Sequence, residues 1–284
     1  MTPQIDLERL IEQARELAPF RATTVRLAQM VASPDCDISE VADLVAYDQA
    51  MTVKLLQIAN SAAFANLSPI ATAQAAVARL GTAQVLALAA AMGARFHLQI
   101  KLPGYNLNEG ALWHHSVAAA VAAEVAPRFC TRKIPAEAVT AALLHDVGKV
   151  IMGRFLDAEM LRLIAEAKQA DRLTQLEAER RVLGMHHGEL GGLMIQHWQL
   201  PAGIVSGTIH HHDPAEGRNV ICDFTYLANE AAKRVEAELE GCWRPLTIMP
   251  DVAERLGMDP SRLEEYRAAV TARFTAVSSR YYVL

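Results

Sequence analysis

Apolar residues recur along this chain at spacings of three and four, the period of an α-helix, and no convincing segment alternates apolar and polar residues. Asp37 and Glu40 have the three-residue separation of a helix-start capping pair. Aromatic residues are only 6% of the chain, although strands favour aromatic and β-branched residues. The sequence therefore predicts an all-α fold. Near the N-terminus the helical spacing is carried by Leu7, Leu10, Ile11, Ala14 and Leu17.

A loop at residues 102–108, rich in turn-forming residues, is the clearest candidate boundary. We predict an N-terminal helical subdomain over residues 1–108, a helical core over residues 109–240 and a C-terminal helical extension over residues 241–284. Nine of the ten histidines follow the loop. The candidate chemistry is therefore concentrated in the second half of the chain.

Net charge, cysteine usage and apolar run length exclude several classes of protein. The formal net charge is −5, so the chain has no general attraction for a phosphate backbone, and nucleic-acid binding is not expected. The four cysteines are widely spaced without a CxxC pair, which fits a reducing cytoplasm. The most apolar stretch, Val85–Met92, is far shorter than the roughly 20 residues that span a bilayer, and the polar N-terminus has no secretory pattern. We expect a soluble, cytoplasmic protein without a membrane partner.

Histidines occur in clusters that are spread over the second half of the chain. Imidazole and carboxylate together suit iron, manganese or zinc, and no cysteine lies close by to suggest a thiolate site. A lone histidine is more often an ordinary core or surface residue, and that reading stays open for each one. Four clusters on predicted helices or helix ends are harder to explain in this way. The clusters are His114–His115, His145–Asp146, His186–His187 and His210–His211–His212.

The His145–Asp146 pair follows an apolar helical segment, residues 139–144, and precedes Val-Gly-Lys. Adjacent residues of a helix point about 100° apart. Both side chains can reach one ion if it lies just beyond the helix end, where Gly148 relieves crowding. Lys149 is then positioned to supply a positive charge to a phosphate.

With these motifs the sequence resembles the HD superfamily of metal-dependent phosphohydrolases, and more particularly its HDOD branch, the HD-related output domain. The resemblance covers about residues 15–235 and is strongest outside the histidines. The family implies an HD-domain-like helical bundle, in which a five-helix core is preceded by an N-terminal helical subdomain. The matching motifs include LLQIANSAAF at 55–64, Leu80–Gly81, Trp113 with His115–Ser116, Glu189–Gly192, and Trp198 with Leu200–Pro201.

Carried over residue by residue, the resemblance implies a site for a divalent metal, either iron, manganese or zinc, and it leaves open whether metal is held. The last family ligand is an aspartate, whereas this chain has Asn229, whose amide is neutral and a poorer ligand. Asp223 cannot easily replace it, because six residues along a helix rotate the side chain by about 240°. The implied metal positions are His115, His145, Asp146, His187, His211, His212 and Asn229.

The resemblance implies a signal-transduction output or scaffold domain that acts through protein–protein contacts, without robust catalysis. Its expected partners are signalling proteins of the receiver, kinase or diguanylate-cyclase-like classes. The alternative is a metal-dependent phosphohydrolase acting on a nucleotide or cyclic dinucleotide, with Asp146 and Lys149 as catalytic residues. A third reading, in which a metal or nucleotide is only sensed, lies between the two. Both enzymatic and non-enzymatic roles stay open at this point.

Overall fold

The computed structural model describes residues 11–12, 20–61, 68–170 and 172–282. Its first helices are α1 (Ala22–Ala32), α2 (Ile38–Ala46), α3 (Gln49–Ala59), α4 (Ala73–Leu80), α5 (Thr82–Leu98), α6 (Ala111–Val125), α7 (Glu137–Leu144) and α8 (Val147–Phe155). They are followed by α9 (Ala158–Ala170), α10 (Gln175–Leu183), α11 (His187–His197), α12 (Ala202–Ile209), α13 (Pro214–Gly217), α14 (Val220–Leu239), α15 (Pro250–Leu256) and α16 (Leu263–Tyr282). Short 3₁₀ turns lie at Pro103–Tyr105, Ala126–Arg128 and Pro260–Arg262.

The all-α prediction is confirmed, since the described ranges contain helices, two isolated β-bridges and no strand. In those ranges no single helix is long and apolar enough to cross a bilayer; α4 and α5 reach that length and hydropathy only together, across a bend of 107°. The helix predicted from Leu7 to Leu17 lies largely outside the described residues, as do residues 62–64 of the LLQIANSAAF segment.

Local hydrogen bonds start and end the N-terminal helices. Asp37 precedes α2 and Asp48 precedes α3, and each carboxylate accepts a backbone N–H from the first turn of its helix, at 2.8 and 3.1 Å. Asn60 ends α3, where its side-chain amide donates to the carbonyl of Ile70 at 2.8 Å and accepts from the Ile70 N–H at 2.9 Å. These polar residues therefore serve as structural caps.

The histidine-bearing helices pack on one another in the second half of the chain. α14 packs along α6 and α7, while α12 packs against α11, α7 and α14. α8 packs against α11, and α5 contacts α7 from the N-terminal side. α16 covers α6 and α14, where the Tyr266 hydroxyl donates to the carbonyl of Ala122 at 2.9 Å. Helices from the two sides of residue 108, and from the two sides of residue 240, pack on one another. The predicted boundaries at these positions stay predictions.

Gly148, in the first turn of α8, is where α8 and α11 approach backbone to backbone. A Cβ at this position would lie 1.8 Å from the carbonyl oxygen of His187 and 2.8 Å from the backbone nitrogen of Gly191. Backbone atoms of a packed helix cannot move aside as the end of a side chain can. Glycine at 148 therefore sets how closely His187 lies to the His145–Asp146 turn.

We expect Gly148→Ala to destabilise the fold by about 3 kcal/mol or more, the upper part of the range for overpacking a core. Gly153→Ala is the matched control in the same helix, because its added Cβ would meet only the end of the Leu102 side chain. Urea denaturation of both variants and of the wild type measures the difference. Equal losses in the two variants would contradict the backbone contact as the cause.

Candidate metal centre

The residues predicted as metal ligands come from separate parts of the fold and meet in one buried cluster. Among the described residues, their ligand atoms form two groups that share Asp146. We call the first half-site A, made of His115 in α6, His145 at the end of α7, Asp146 Oδ2, and Asn229 in α14. We call the second half-site B, made of Asp146 Oδ1, His187 at the start of α11, and His211 and His212 after α12. The structure thus brings all predicted ligand residues together, while metal ligation itself stays a prediction.

Half-site A is centred on the Nε2 atom of His115. This atom lies 3.1 Å from His145 Nε2, 3.1 Å from Asn229 Oδ1 and 3.7 Å from Asp146 Oδ2. His145 Nε2 lies 3.5 Å from the same carboxylate oxygen. Asn229 therefore occupies the position that the family resemblance assigns to it, with its amide oxygen facing His115.

Half-site B is centred on the Nε2 atom of His187. It lies 3.1 Å from His212 Nε2 and 3.2 Å from Asp146 Oδ1. His211 Nε2 lies 3.6 Å from the same oxygen of Asp146. The rings of His211 and His212 have centroids 3.9 Å apart. Three imidazoles and one carboxylate oxygen therefore surround one small volume.

Two histidines are held as neutral rings by backbone carbonyls. His145 Nδ1 donates to the carbonyl of Ala142 at 2.6 Å, and His211 Nδ1 donates to the carbonyl of Thr208 at 2.7 Å. Burial lowers the pKa of His145 to about 3 and holds the pKa of His211 well below its ordinary value. In both rings the unprotonated Nε2 then points into the cluster, which is the orientation a metal ligand needs.

Carboxylates orient two other rings from behind. Glu179 Oε2 lies 2.7 Å from His187 Nδ1 and also accepts the His187 backbone N–H at 2.8 Å, while Glu236 Oε2 lies 2.9 Å from His115 Nδ1. Burial alone would lower the pKa of both rings, but the two carboxylates outweigh it and raise the pKa of each. Burial alone would raise the pKa of Glu179, yet His187 holds it at about 2. Such carboxylate–histidine pairs are the usual outer contacts of metal-ligating histidines.

Asp146 is the carboxylate common to both half-sites and is almost completely buried. Its Oδ2 forms an ion pair with Lys149 Nζ at 2.5 Å. Burial alone would raise the pKa of Asp146, but the Lys149 ammonium, His145 and His187 hold it well below its ordinary value. Asp146 is therefore ionised at neutral pH, and Lys149 neutralises it from the side of half-site A.

The donor set of the cluster fits a divalent cation. His211 Nε2 is buried without a hydrogen-bond partner, although buried polar atoms rarely lack one, and it faces the buried Asp146 Oδ1 at 3.6 Å. Facing lone pairs repel one another unless a cation lies between them. Ligands of a tetrahedral zinc ion are about 3.3 Å apart, and the distances within the two half-sites lie between 3.1 and 3.7 Å. Nitrogen and oxygen donors of this kind suit zinc, iron or manganese.

The remaining histidines of the clusters have other positions, as does Asp223. His186 caps α11 and accepts the Gly188 N–H at 3.0 Å, and His210 caps the end of α12. His114 lines the cavity described next. Asp223 forms an ion pair with Arg255 at 2.7 Å and takes no part in the cluster.

A cavity of about 520 Å³ opens beside half-site A. His115, Asp146 and Lys149 line it, together with Lys233 of α14 and Phe274 of α16. None of the three half-site B histidines lines this cavity. A molecule in the cavity would therefore meet half-site A and the two lysines, and not the imidazoles of half-site B.

Sequence reasoning missed Glu179, Glu236 and Tyr105. Glu236 lies seven residues after Asn229, two helical turns, so its place on the same face of α14 was readable from the spacing. Glu179 lies in a different helix from His187, and no sequence pattern identifies it. Tyr105, in the predicted boundary loop, places its ring edge-on to His187 with centroids 6.5 Å apart, and its hydroxyl donates to the sulfur of Met152 at 2.9 Å.

A family model of the HDOD domain matches residues 17–214. An HDOD domain protein of unknown function from Geobacter sulfurreducens has a solved structure with 25% identity and a TM-score of 0.64, covering 94% of this chain and 99% of that one. A candidate signal transduction protein from Marinobacter aquaeolei VT8 has a TM-score of 0.73 at 16% identity, covering 99% and 67%. A candidate metal-dependent phosphohydrolase from Shewanella amazonensis SB2B has a TM-score of 0.53 at 17% identity, covering 94% and 96%. The last two resemblances show the fold alone.

One curated relative, an uncharacterized protein of Treponema pallidum (strain Nichols), is 25% identical over 214 residues, which are 72% of this chain. The match covers 39% of that protein, so the chain spans about two fifths of the relative's length.

We expect Glu179→Ala to destabilise the fold by about 2–3 kcal/mol, because it leaves the His187 N–H and ring without their buried partner. Glu166→Ala is the control, since Glu166 is an exposed partner of Arg162 and its loss should cost less than about 1 kcal/mol. Urea denaturation in the presence of a chelator measures both. A Glu179→Ala variant as stable as Glu166→Ala would contradict the role assigned to this carboxylate.

We expect metal-free protein to lose stability as the pH falls from 7.5 to 5.5. Burial lowers the folded-state pKa of His145 to about 3 and of His186 to about 4, and lowers those of His211 and His212 as well. In the unfolded chain the same histidines take up a proton near pH 6.5. Below that pH, each of them therefore lowers the free energy of unfolding by up to about 1.4 kcal/mol for every pH unit. His115 and His187 oppose the trend only above pH 6.5, because their raised pKa values add stability as the pH falls toward 6.5 and the added stability is constant below it.

Urea midpoints at pH 7.5, 6.5 and 5.5 measure this dependence. His186→Asn is the matched variant, because asparagine is also a good helix N-cap but does not titrate. Its stability should fall less steeply with decreasing pH than that of the wild type. A wild type that becomes more stable at pH 5.5 would contradict the expectation.

Proposed function

Because the chain belongs to the HDOD domain family, we propose that it is a signal-transduction output or scaffold domain, which acts through protein–protein contacts and without robust catalysis. Its metal centre then holds helices together and does not turn over substrate. The proposed partners are cytoplasmic signalling proteins of the receiver, kinase or diguanylate-cyclase-like classes. One observation carries this proposal. The imidazoles of half-site B do not line the cavity of about 520 Å³, so a molecule bound in that cavity contacts only half-site A.

Half-site A is the poorer place for phosphoryl chemistry. Asn229 replaces a carboxylate there with a neutral amide, and Lys149 is already paired with Asp146. A bound divalent cation supplies Lewis acidity toward a phosphoryl oxygen and lowers the pKa of water. At half-site A the chain offers one shared carboxylate to hold such a cation. The cluster is therefore better suited to stabilising the interior than to hydrolysis.

Exposed aromatic side chains on the N-terminal helices support a role in protein contacts. Tyr47, at the end of α2, is 91% exposed, and Phe96, in the last turns of α5, is 78% exposed. Aromatic residues are enriched at protein–protein interfaces. These two side chains are therefore suitable positions for substitutions that leave the centre untouched.

The second candidate function is a metal-dependent phosphohydrolase that acts on a nucleotide or cyclic dinucleotide. The cavity beside Asp146 and Lys149 favours it, because 520 Å³ lies within the usual range for a small-molecule site. In that case the ammonium groups of Lys149 and Lys233 would hold phosphate oxygens, and the half-site histidines would hold the metal. We give this function second place because the Lys149 ammonium could bind a phosphate only after its ion pair with Asp146 breaks.

Turnover assays of metal-loaded protein separate the two functions. We expect no hydrolysis of nucleotides or cyclic dinucleotides by the wild type above the level of Asp146→Ala. We also expect in-cell crosslinking to enrich signalling proteins with the wild type, and to do so less with Tyr47→Ala/Phe96→Ala. Hydrolysis that depends on both His145 and Asp146 would overturn the scaffold proposal in favour of the enzyme.

A further inference from the structure

We propose that the centre holds a single divalent cation in half-site B, and that the ammonium group of Lys149 takes the place of a second cation at half-site A. This inference rests on the proposal that the cluster binds metal. It goes further by assigning the ion to one half-site and a structural role to Lys149. The ligands of the ion would be Asp146 Oδ1, His187, His211 and His212.

Distances alone do not distinguish the half-sites. The neighbouring ligand atoms are 3.1 to 3.7 Å apart in half-site A and 3.1 to 3.6 Å apart in half-site B. Both ranges include the separation of about 3.3 Å expected around a tetrahedral zinc ion. The assignment therefore depends on charge and on which atoms already have partners.

Charge favours half-site B. Asp146 is the only carboxylate within either ligand set, and its Oδ2 already contacts the Lys149 ammonium at 2.5 Å. The carboxylate is 2% exposed, so this interaction is screened little by water. A dication on Oδ2 would be repelled by the ammonium or would have to displace it. Oδ1 faces the imidazoles of half-site B, and the Lys149 ammonium pairs with the other oxygen.

The neutral donors point in the same direction. Half-site B supplies three imidazoles, whereas half-site A supplies two imidazoles and the amide of Asn229. An amide oxygen is a weaker ligand than imidazole for the borderline metals such as zinc. Half-site B is therefore the stronger ligand set even before charge is considered.

An unsatisfied atom lies in half-site B. His211 Nε2 is buried and has no hydrogen-bond partner, and the Asp146 Oδ1 atom that it faces at 3.6 Å lies 3.2 Å from His187 Nε2. In half-site A, Asp146 Oδ2 has Lys149, and His115 Nε2 lies 3.1 Å from Asn229 Oδ1. Without an ion, half-site A has polar partners of its own, while half-site B leaves the buried His211 Nε2 unpaired.

The carboxylates behind the rings differ as well. The Glu179 side chain behind His187 is fully buried, whereas the Glu236 side chain behind His115 is 31% exposed. A buried carboxylate stabilises a nearby cation more strongly than one screened by solvent. The negative charge outside the ligand sets thus also favours an ion in half-site B.

Metal counting tests this assignment independently of activity. Wild-type protein freed of metal with a chelator is reloaded with Zn²⁺ or with Mn²⁺, desalted, and counted by native mass spectrometry and elemental analysis. We expect one ion per chain. His212→Ala should reduce the count to near zero, because it removes a half-site B ligand at the edge of the core. His115→Gln should keep one ion, because it changes only half-site A, and His114→Ala controls for substitution next to the centre.

The reciprocal experiment converts half-site A into a metal site. The double variant Lys149→Met/Asn229→Asp removes the competing ammonium and restores a carboxylate, and we expect it to bind two ions. X-ray absorption of the zinc-loaded wild type should report three imidazole ligands, and circular dichroism checks that each variant is folded.

Two ions in the wild type, or an ion lost in His115→Gln and kept in His212→Ala, would overturn the assignment. If neither the wild type nor any folded variant bound an ion, metal binding by the cluster would be overturned. Hydrolysis of a nucleotide by protein with a single ion in half-site B would overturn the scaffold function while supporting this inference.

Discussion

Asp146 is a buried carboxylate that two sets of ligands and one lysine share. One oxygen faces His187 and His211, and the other faces His115, His145 and the Lys149 ammonium. A charge in the interior is stable only when cationic or polar groups surround it. The helices and turns that carry these groups must therefore converge on the same point. The arrangement of the second half of the chain follows from that requirement.

The close packing of α8 against α11 also brings these groups together. The turn between α7 and α8 presents His145 and Asp146 on one side, and the backbone of α11 reaches it only because residue 148 has no side chain. Glycine in a helix usually costs stability, since it adds flexibility to the unfolded chain. Here the cost is offset by the contacts that the close approach permits.

Much of the fold and part of the centre could be predicted from the sequence. The helical spacing and the capping residues Asp37 and Asp48 act locally, so their effect could be inferred without a structure. The motifs around His145 and Asn229 identified which residues come together. Glu179 could not be found, because its contact with His187 depends on how α10 turns back toward α11. The ion pair of Lys149 with Asp146 depends on side-chain positions that no sequence pattern encodes. The difference in charge between the two half-sites therefore could not be predicted either.

Part of the cavity wall is built from a part of the chain that the HDOD family model does not match. Lys233 and Phe274 both lie beyond residue 214, the last position that the model matches, and α16 is fastened to α6 by Tyr266. Segments inside and outside the range that the family model matches therefore line one cavity. Substitutions at Lys233 or Phe274 can therefore change which molecules the cavity admits while every histidine of the centre stays in place.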